Sequence, residues 1–349
     1  MSNFKNYAVL LCSFLVSVLT VVYCGYIYVD IKFGENSTLL FTSSVISASS
    51  QTHSKVETIL SAPVESDSSN AQSSKESVAV GADLSNALGK IYEQTISPYS
   101  AKLSYNNVYI KNTSGAKIDI KAELEKGTKI KLQKNSEPQV LIIHTHATEC
   151  FMEEDRDFYT ASDKTRTTDN SKNITNLGEI IAEKLNKAGI STLQDKTQHD
   201  YPSYTGSYSR SATTVKEYLK KYPSIKIVID LHRDSISLEG SDRAKPTVTI
   251  NGKKAAQIML CMGSETGTVT GYPNWKENLR FAMKYHQTIE ALYPGMARPL
   301  LLRSSKYNQN LSTGSILLEI GTESNTLSEV EYSAALAADA LINLLNTMV

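Results

Sequence analysis

A short apolar run that ends abruptly in polar residues constrains the fold most strongly. Val140–Ile143 has the length and composition of a buried strand. His144, His146 and Glu149 follow it directly. Open α/β sheets bind their ligands at the carboxyl ends of such strands, and the His146-x-x-Glu149 spacing lets one loop offer an imidazole and a carboxylate to the same ion. The sequence therefore predicts a ligand or metal site at this strand end.

Strand-like and helical patterns alternate along the chain from Pro138 onward. After the first strand, strands are predicted at residues 190–194, 225–230, 256–262, 300–302 and 316–320, and helices at residues 173–188, 213–222, 274–293 and 328–348. This alternation predicts an α/β domain over residues 137–349, with a mostly parallel sheet covered by helices on both faces. Asn251-Gly252 marks a hairpin turn that interrupts the regular pattern.

Three of the predicted strands end in polar residues: the first in His146 and Glu149, the third in His232 and the last in Glu319. Parallel neighbours would bring these ends to one edge of the sheet. Two histidines and a carboxylate with an open fourth position form a catalytic zinc arrangement, and a further carboxylate can act as the general base. Glu319 suits the second role because a carboxylate inside an apolar strand is costly to bury without a partner.

Other histidines are weaker candidates for this site. His144 competes with His146 for the place of first ligand, because both cannot easily face one ion if the strand continues. We prefer His146 because it pairs with Glu149. His199 is interpreted as a loop residue held by its neighbour, and His286 as a core or groove residue on the apolar face of a helix.

Arg233 is a second candidate catalytic residue, since it follows His232 directly. Its guanidinium could hold a carboxylate or a developing oxyanion in such a site. The competing interpretation is an ion pair between Arg233 and either Asp230 or Asp234.

Charge and cysteine content exclude several classes of protein. The chain of 349 residues has 36 Lys and Arg against 36 Asp and Glu, so its net charge does not indicate a nucleic-acid partner. Its four cysteines include no CxxC pair, which leaves a thiolate zinc site or a disulfide framework without support. A bridge between Cys150 and Cys261 stays open as a minor alternative.

The amino-terminal part has a different character. Tyr7–Val29 is uncharged and long enough to span a bilayer as a helix, with tyrosines near its far end. We predict a retained membrane anchor over residues 1–30, in preference to a cleaved signal peptide, and a catalytic domain outside the cytoplasm. Residues 31–89 read as a flexible Ser-rich stalk, and residues 90–136 as a small β-rich lead-in with strands at residues 108–110 and 118–120.

Four strings in the second half carry a family resemblance. They are His146-Ala-Thr-Glu149, Asp230-Leu-His-Arg-Asp234, Val248-Thr-Ile-Asn-Gly-Lys253 and Leu318-Glu-Ile-Gly-Thr-Glu-Ser-Asn325. Together they resemble the stage II sporulation protein P family, which belongs with the zinc-dependent N-acetylmuramoyl-L-alanine amidases. The anchor and stalk match that layout, and the resemblance covers the chain from about Pro138 to its end.

The resemblance implies an activity, a cofactor and partners. Members of this family would use zinc to cut the amide between N-acetylmuramic acid and L-alanine in peptidoglycan, and they are also credited with cleaving stem-peptide cross-links. The implied setting is forespore engulfment, in the space between forespore and mother cell. The implied partners are a lytic transglycosylase and a membrane protein of the engulfment machinery.

The resemblance also assigns roles to residues. It implies that His146 and His232 are metal ligands and that Glu319 is the catalytic acid/base. The amidases usually take their third ligand, a glutamate, from near the start of the first helix, but the matching segment here, residues 169–173, contains no glutamate. We therefore expect Glu149 as the third ligand, with Asp169 as the second choice.

Two other functions remain open from the sequence. A zinc carboxypeptidase or endopeptidase acting on free peptides uses similar ligands, but it needs an arginine, here Arg233 or Arg303, to hold a terminal carboxylate. A non-catalytic scaffold that binds the cell wall is the other alternative.

Overall fold

The computed structural model describes residues 26–32, 38–44, 86–133 and 137–349. The chain divides into two units, Met1–Val56 and Glu57–Val349. In the first unit, β1 (Tyr26–Lys32) pairs antiparallel with β2 (Thr38–Ser44). The second unit contains the other described strands and all the described helices.

The predicted membrane anchor is corrected by the structure. The end of that segment is the strand β1, which suits its alternating aromatic and β-branched residues. Among the described residues, none of the helices combines the length and apolarity needed to cross a bilayer. The prediction of a single-pass membrane protein is therefore wrong for this part of the chain. The predicted location outside the cytoplasm was based on that anchor and is withdrawn with it. Residues 1–25 of the predicted anchor and most of the stalk lie outside the described residues.

The larger sheet of the second unit has eight strands. They are β4 (Leu103–Tyr105), β5 (Val108–Asn112), β6 (Val140–Ile143), β8 (Thr192–Gln194), β9 (Ile227–Asp234), β12 (Ile258–Gly263), β13 (Leu300–Arg303) and β14 (Ser315–Thr322). Their spatial order is β4-β5-β13-β12-β14-β9-β6-β8. The predicted lead-in contributes to this sheet, because β5 pairs parallel with β13.

The smaller sheet has four strands in the order β11-β10-β3-β7. They are β3 (Ala87–Gln94), β7 (Phe158–Thr160), β10 (Arg243–Ile250) and β11 (Lys253–Ala256). The predicted hairpin is the turn between β10 and β11, where Asn251 and Gly252 both adopt positive φ values of 49° and 75°.

The α/β class is confirmed, but the sheets are mixed and not mostly parallel. In the larger sheet, β12 runs antiparallel to β14, and β4 runs antiparallel to β5. In the smaller sheet, only the β3–β10 pair is parallel. The reason is the connection after β9: the chain passes through the β10–β11 hairpin instead of a crossover helix, so it returns to the larger sheet as β12 in the opposite direction.

Five α-helices complete the described part of the chain. They are α1 (Ile120–Lys126), α2 (Ile174–Lys187), α3 (Ser207–Lys221), α4 (Trp275–Leu292) and α5 (Leu327–Leu345). The Asn173 side chain caps α2 by accepting from Thr175 N–H. The strand predicted at residues 118–120 is wrong, because the Asp119 side chain accepts from Ala122 N–H and starts α1 there.

Helices cover both faces of the larger sheet. Val140 and Ile142 of β6 belong to the main core, together with residues of α2, α4 and α5. Leu141 and Ile143 point to the other face and pack with Val215 of α3. This alternation is the ordinary geometry of a strand that is buried on both faces, and it fixes the end of β6 inside the protein.

Candidate metal site

Three buried side chains converge near the carboxyl ends of β6 and β9: His146 and Glu149 follow β6, and His232 lies within β9 near its end. One potential ligand atom of each lies within 4.8 Å of the others. Glu149 bridges the two histidines, with Oε1 3.4 Å from His146 Nδ1 and Oε2 3.5 Å from His232 Nδ1. The parallel pairing of Ile143 with Asp230 brings the two strand ends together.

Glu149 is held from several directions. Its backbone carbonyl accepts from Ile174 N–H (2.8 Å) at the start of α2, and its Oε2 accepts from Arg233 N–H (3.2 Å). Burial alone would raise the pKa of Glu149, but hydrogen bonds from His146 and His232 hold that pKa well below its usual value. The carboxylate is therefore ionised at neutral pH and available to a cation.

His232 has its two ring nitrogens on different carboxylates. Nδ1 faces Glu149, and Nε2 lies 2.9 Å from Asp230 Oδ1, although its N–H is not aligned for a hydrogen bond. Asp230 is itself anchored by Thr145, whose N–H and Oγ1 donate to it over 2.9 and 2.7 Å. Burial lowers the pKa of His232, but the charge of Asp230 outweighs it and the pKa lies well above its ordinary value.

The cluster fits a divalent transition metal. Two imidazoles and one carboxylate are the protein ligands of many catalytic zinc sites. In the described part of the chain, the buried His146 Nε2 has no hydrogen-bond partner. A ring nitrogen left unpaired in a buried site is costly unless something else satisfies it. A carboxylate oriented behind a histidine, as Asp230 is behind His232, is also typical of metal sites.

Glu319 lies beside this cluster. It is paired with His232 in the register of β14 and β9. The register shifts immediately after Glu319, near Gly321, whose φ of 64° favours glycine. Burial and then the charge of Asp234 raise the pKa of Glu319 to about 8. Its Oε2 is buried, and no described residue gives it a hydrogen bond.

Two aromatic side chains, one from the loop before α3 and one from its first turn, contact His146. The Tyr204 ring stacks on the His146 ring with centroids 4.6 Å apart, and the Tyr208 ring meets it edge-on at 5.6 Å. Burial, followed by the charges of Asp230 and Glu319, raises the pKa of Tyr208 far above its usual value, so this phenol stays protonated. The pattern of strand ends does not predict either tyrosine; the signal for them in the sequence is the recurrence of tyrosine at residues 201, 204 and 208.

His144 is placed away from the cluster. Its Nδ1 contacts Leu231 O (3.2 Å) and its Nε2 contacts Gln194 Nε2 (3.0 Å), so both ring nitrogens are occupied within the core. Burial lowers the pKa of His144 to about 4. Of the two histidines that competed for the first position, the structure brings His146 to Glu149.

Asp169, the second choice for the third ligand, lies at the surface. Its carboxylate accepts from the N–H and Oγ of Ser171 in a local turn, at 3.0 and 2.7 Å. The metal-competent cluster contains Glu149 instead.

The Arg233 guanidinium donates its hydrogen bonds to other groups of the protein. It donates to Cys150 O (3.3 Å), to Thr165 O (2.9 Å) and to Glu323 Oε2 (3.4 Å). Arg233 is buried, and Asp234 meets another arginine, Arg298, at 2.8 Å. These contacts fix the loop that carries Glu149.

The other histidine and cysteine candidates make contacts within the protein interior. The ring nitrogens of His199 contact His144 O and Thr214 Oγ1, both at 2.9 Å. His286 contacts two backbone carbonyls inside the core. Cys150 and Cys261 are both buried and free, so the bridge between them is absent from the described structure.

Comparison with known proteins identifies the family. The family model described as stage II sporulation protein P matches residues 46–342. A curated stage II sporulation protein P from Bacillus subtilis (strain 168) is 30% identical over 216 residues, which are 57% of this chain and 49% of the relative. The chain thus spans about half the length of that relative.

Solved structures of amidases resemble the chain more distantly. The apo form of the N-acetylmuramyl-L-alanine amidase Ami1 from Mycobacterium abscessus is 14% identical, with a TM-score of 0.33, over 61% of this chain and 99% of its own. The CwlD amidase from Clostridioides difficile, solved in complex with the GerS lipoprotein, is 12% identical, with a TM-score of 0.35, over 60% and 99%. Structural similarity at this level does not indicate a function. The match over residues 46–342, however, shows that the chain belongs to the stage II sporulation protein P family.

Proposed function

We propose that the chain is a zinc-dependent peptidoglycan hydrolase of sporulation that cleaves the amide bond between N-acetylmuramic acid and L-alanine. The observation that carries this proposal is the buried cluster of His146, Glu149 and His232, with Glu319 beside it on the adjacent strand. Family membership supports the sporulation setting. The sequence strings that resemble those of the zinc amidases are the reason for proposing peptidoglycan as the substrate.

His146, Glu149 and His232 would hold the zinc ion. Zinc supplies Lewis acidity at such a site, which makes water nucleophilic near neutral pH and polarises a carbonyl oxygen. The ionised Glu149 contributes the negative charge that offsets part of the charge of the cation. Asp230 holds the far side of the His232 ring and so directs Nδ1 toward the cluster.

Glu319 would act as the acid/base. Hydrolysis joins the oxygen of a water molecule to the lactyl carbonyl carbon and breaks the bond from that carbon to the alanine nitrogen. The Glu319 carboxylate takes a proton from the attacking water and returns it to the leaving nitrogen, so that a carboxylic acid and an amine are formed. A carboxyl whose pKa is raised to about 8, within about one unit of neutral pH, can both take up and release a proton.

Arg233 has a positioning role in this proposal. Its guanidinium is engaged by Cys150, Thr165 and Glu323, while its backbone N–H donates to Glu149. A peptidase acting on free peptides would need Arg233 or Arg303 to hold the terminal carboxylate of its substrate, and these contacts disfavour Arg233 for that task.

Cross-link cleavage and partners belong to the same proposal. An amide within the stem peptide would meet the same zinc ligands and the same acid/base, so product analysis must separate the two activities. A lytic transglycosylase and a membrane protein of the engulfment machinery are the partners that the family resemblance implies.

Mass spectrometry of digestion products tests the proposed function. The full chain, loaded with zinc, is incubated with purified sacculi. We expect stem peptides with a free amino-terminal alanine, glycan strands with a free lactyl carboxylate, and loss of both products when a chelator is added. Peptides cut only within the stem would indicate an endopeptidase. No product at all from folded, zinc-loaded protein would favour the non-catalytic scaffold.

A further inference from the structure

We propose that the Tyr208 hydroxyl donates a hydrogen bond to the carbonyl oxygen of the scissile amide as negative charge develops there. The inference rests on the proposed function and adds a catalytic residue to it. It concerns a residue that neither the strand-end pattern nor the family resemblance singled out.

The Tyr208 ring is fixed next to the cluster. Tyr208 lies in the first turn of α3, where its ring packs edge-on against His146 at 5.6 Å. The Tyr307 ring lies 6.2 Å away on another side. Because Tyr204 occupies the stacked position on His146, Tyr208 is confined to the edge of that ring. The phenol therefore has few alternative positions.

The backbone of Tyr208 is held as well. The Asn308 side chain donates to Tyr208 O (2.8 Å) and to Ser211 Oγ (3.0 Å), which ties the first turn of α3 to the loop before β14. Both Tyr307 and Asn308 adopt left-handed conformations, with φ values of 49° and 56°. Such conformations are unfavourable for residues other than glycine, and they concentrate at functional sites. Here the Tyr307 ring lies near the Tyr208 ring, and the Asn308 side chain donates to the Tyr208 carbonyl.

The hydroxyl of Tyr208 is left available. It makes no hydrogen bond to any group in residues 86–133 or 137–349, whereas other tyrosines in the interior use theirs. The Tyr285 hydroxyl donates to Ala337 O (2.8 Å), the Tyr159 hydroxyl to Ser241 O (2.5 Å), and the Tyr272 hydroxyl bonds Gln309 (3.1 Å). A hydroxyl that is partly removed from water without a partner loses free energy. A substrate carbonyl at the cluster would supply the missing acceptor.

The chemistry of the site calls for such a donor. Attack on the amide moves negative charge onto the carbonyl oxygen, and a fixed donor aimed at that oxygen stabilises the transition state more than the ground state. Removing one such donor from a hydrolase commonly lowers kcat by about 10²–10³. With zinc Lewis acidity sharing the same task, we expect a smaller loss, of about 10- to 100-fold.

Tyr208→Phe in the full, zinc-loaded chain tests the inference, with soluble muropeptides as substrate. We expect kcat to fall about 10- to 100-fold, with KM, zinc content and melting temperature close to those of the wild type. Tyr218→Phe is the matched control: it removes a tyrosine hydroxyl from the same helix, one that contacts Asp195 at 3.3 Å, and kcat should not change.

Two outcomes would overturn the role of Tyr208. One is a kcat for Tyr208→Phe within twofold of the wild type. The other is a loss of activity that accompanies a loss of zinc or of the native melting transition, because the hydroxyl would then be needed for the structure or the metal site and not for catalysis. A zinc-loaded wild type without activity would instead overturn the proposed function, and the inference with it.

Discussion

Glu319 and His232 are direct neighbours on the adjacent parallel strands β14 and β9. The pair joins the proposed acid/base to a proposed zinc ligand. Because neighbouring strands in a sheet lie only about 5 Å apart, the distance between these residues is fixed by sheet pairing and not by a flexible loop. A site built on strands in this way is held rigidly, as a reaction that depends on the position of one carboxylate requires.

Glu319→Gln should separate zinc binding from activity. The amide side chain keeps the shape of glutamate but cannot accept a proton, so we expect zinc content to be retained and kcat to fall by about 10²–10⁴. Release of stem peptides from sacculi measures the effect. Glu331→Gln is the control, since that carboxylate accepts from Asn176 Nδ2 (2.7 Å), and an amide oxygen can replace it. Unchanged activity in Glu319→Gln would exclude Glu319 as the base.

His144 should make the stability of the metal-free protein depend on pH. Burial lowers the pKa of His144 to about 4, whereas an unfolded histidine titrates near 6.5. Between these values the unfolded chain binds more protons, so the free energy of unfolding is highest above about pH 6.5 and falls as pH decreases toward 4. The loss from this single group reaches about 3 kcal/mol.

Urea unfolding of the wild type and of His144→Asn, at several pH values between these limits, measures this term. The variant has no titrating group at that position, so its free energy of unfolding should decline less steeply. Equal slopes for the two proteins would show that His144 does not titrate as its burial predicts.

Gly178→Ala should destabilise the protein even though alanine favours helix. A Cβ at this position in α2 would lie 2.4 Å from Gln194 Nε2 and 2.7 Å from His144 Nε2. The gain in helix propensity is about 1 kcal/mol, and the overpacking costs about 1–3 kcal/mol. Because Gln194 is also tied to Thr175 O (2.7 Å), it cannot simply move away. We expect a net loss of stability.

Thermal unfolding checks this expectation. Glu179→Ala is the control on the same helix, because its side chain is exposed and its ion pair with Lys196 is a surface contact. Such pairs contribute little, so the melting temperature of the control should hardly change. A Gly178→Ala variant that melts above the wild type would refute the close approach of α2 to His144.

Local patterns predicted the elements around the site well. The apolar run Val140–Ile143 is β6 with its expected bounds, and the helix predicted from Asn173 is α2, which begins at Ile174. The sequence predicts that His146, Glu149 and His232 lie close together because metal-competent side chains near the ends of buried strands stand out from their apolar neighbours, and the structure does bring them together. Burial and periodicity are local properties, and the sequence displays them directly.

Long-range pairing could not be predicted in the same way. The direction of β12 depends on the β10–β11 hairpin joining a second sheet with β3, which no local pattern indicates. At residues 118–120, the cap formed by Asp119 outweighed the alternating pattern. The sequence does not predict the position of Tyr208 because that position depends on contacts with Tyr307 and Asn308, which are distant in sequence.

Zinc binding by His146, Glu149 and His232 is the central claim, and metal analysis of purified protein after exhaustive dialysis tests it most directly. We predict one zinc ion per chain for the wild type and for Asp169→Asn, whose carboxylate lies at the surface. Alanine variants at each of the three cluster positions should lose the metal. A wild type that binds no zinc, or a loss in Asp169→Asn with retention in Glu149→Ala, would contradict the account.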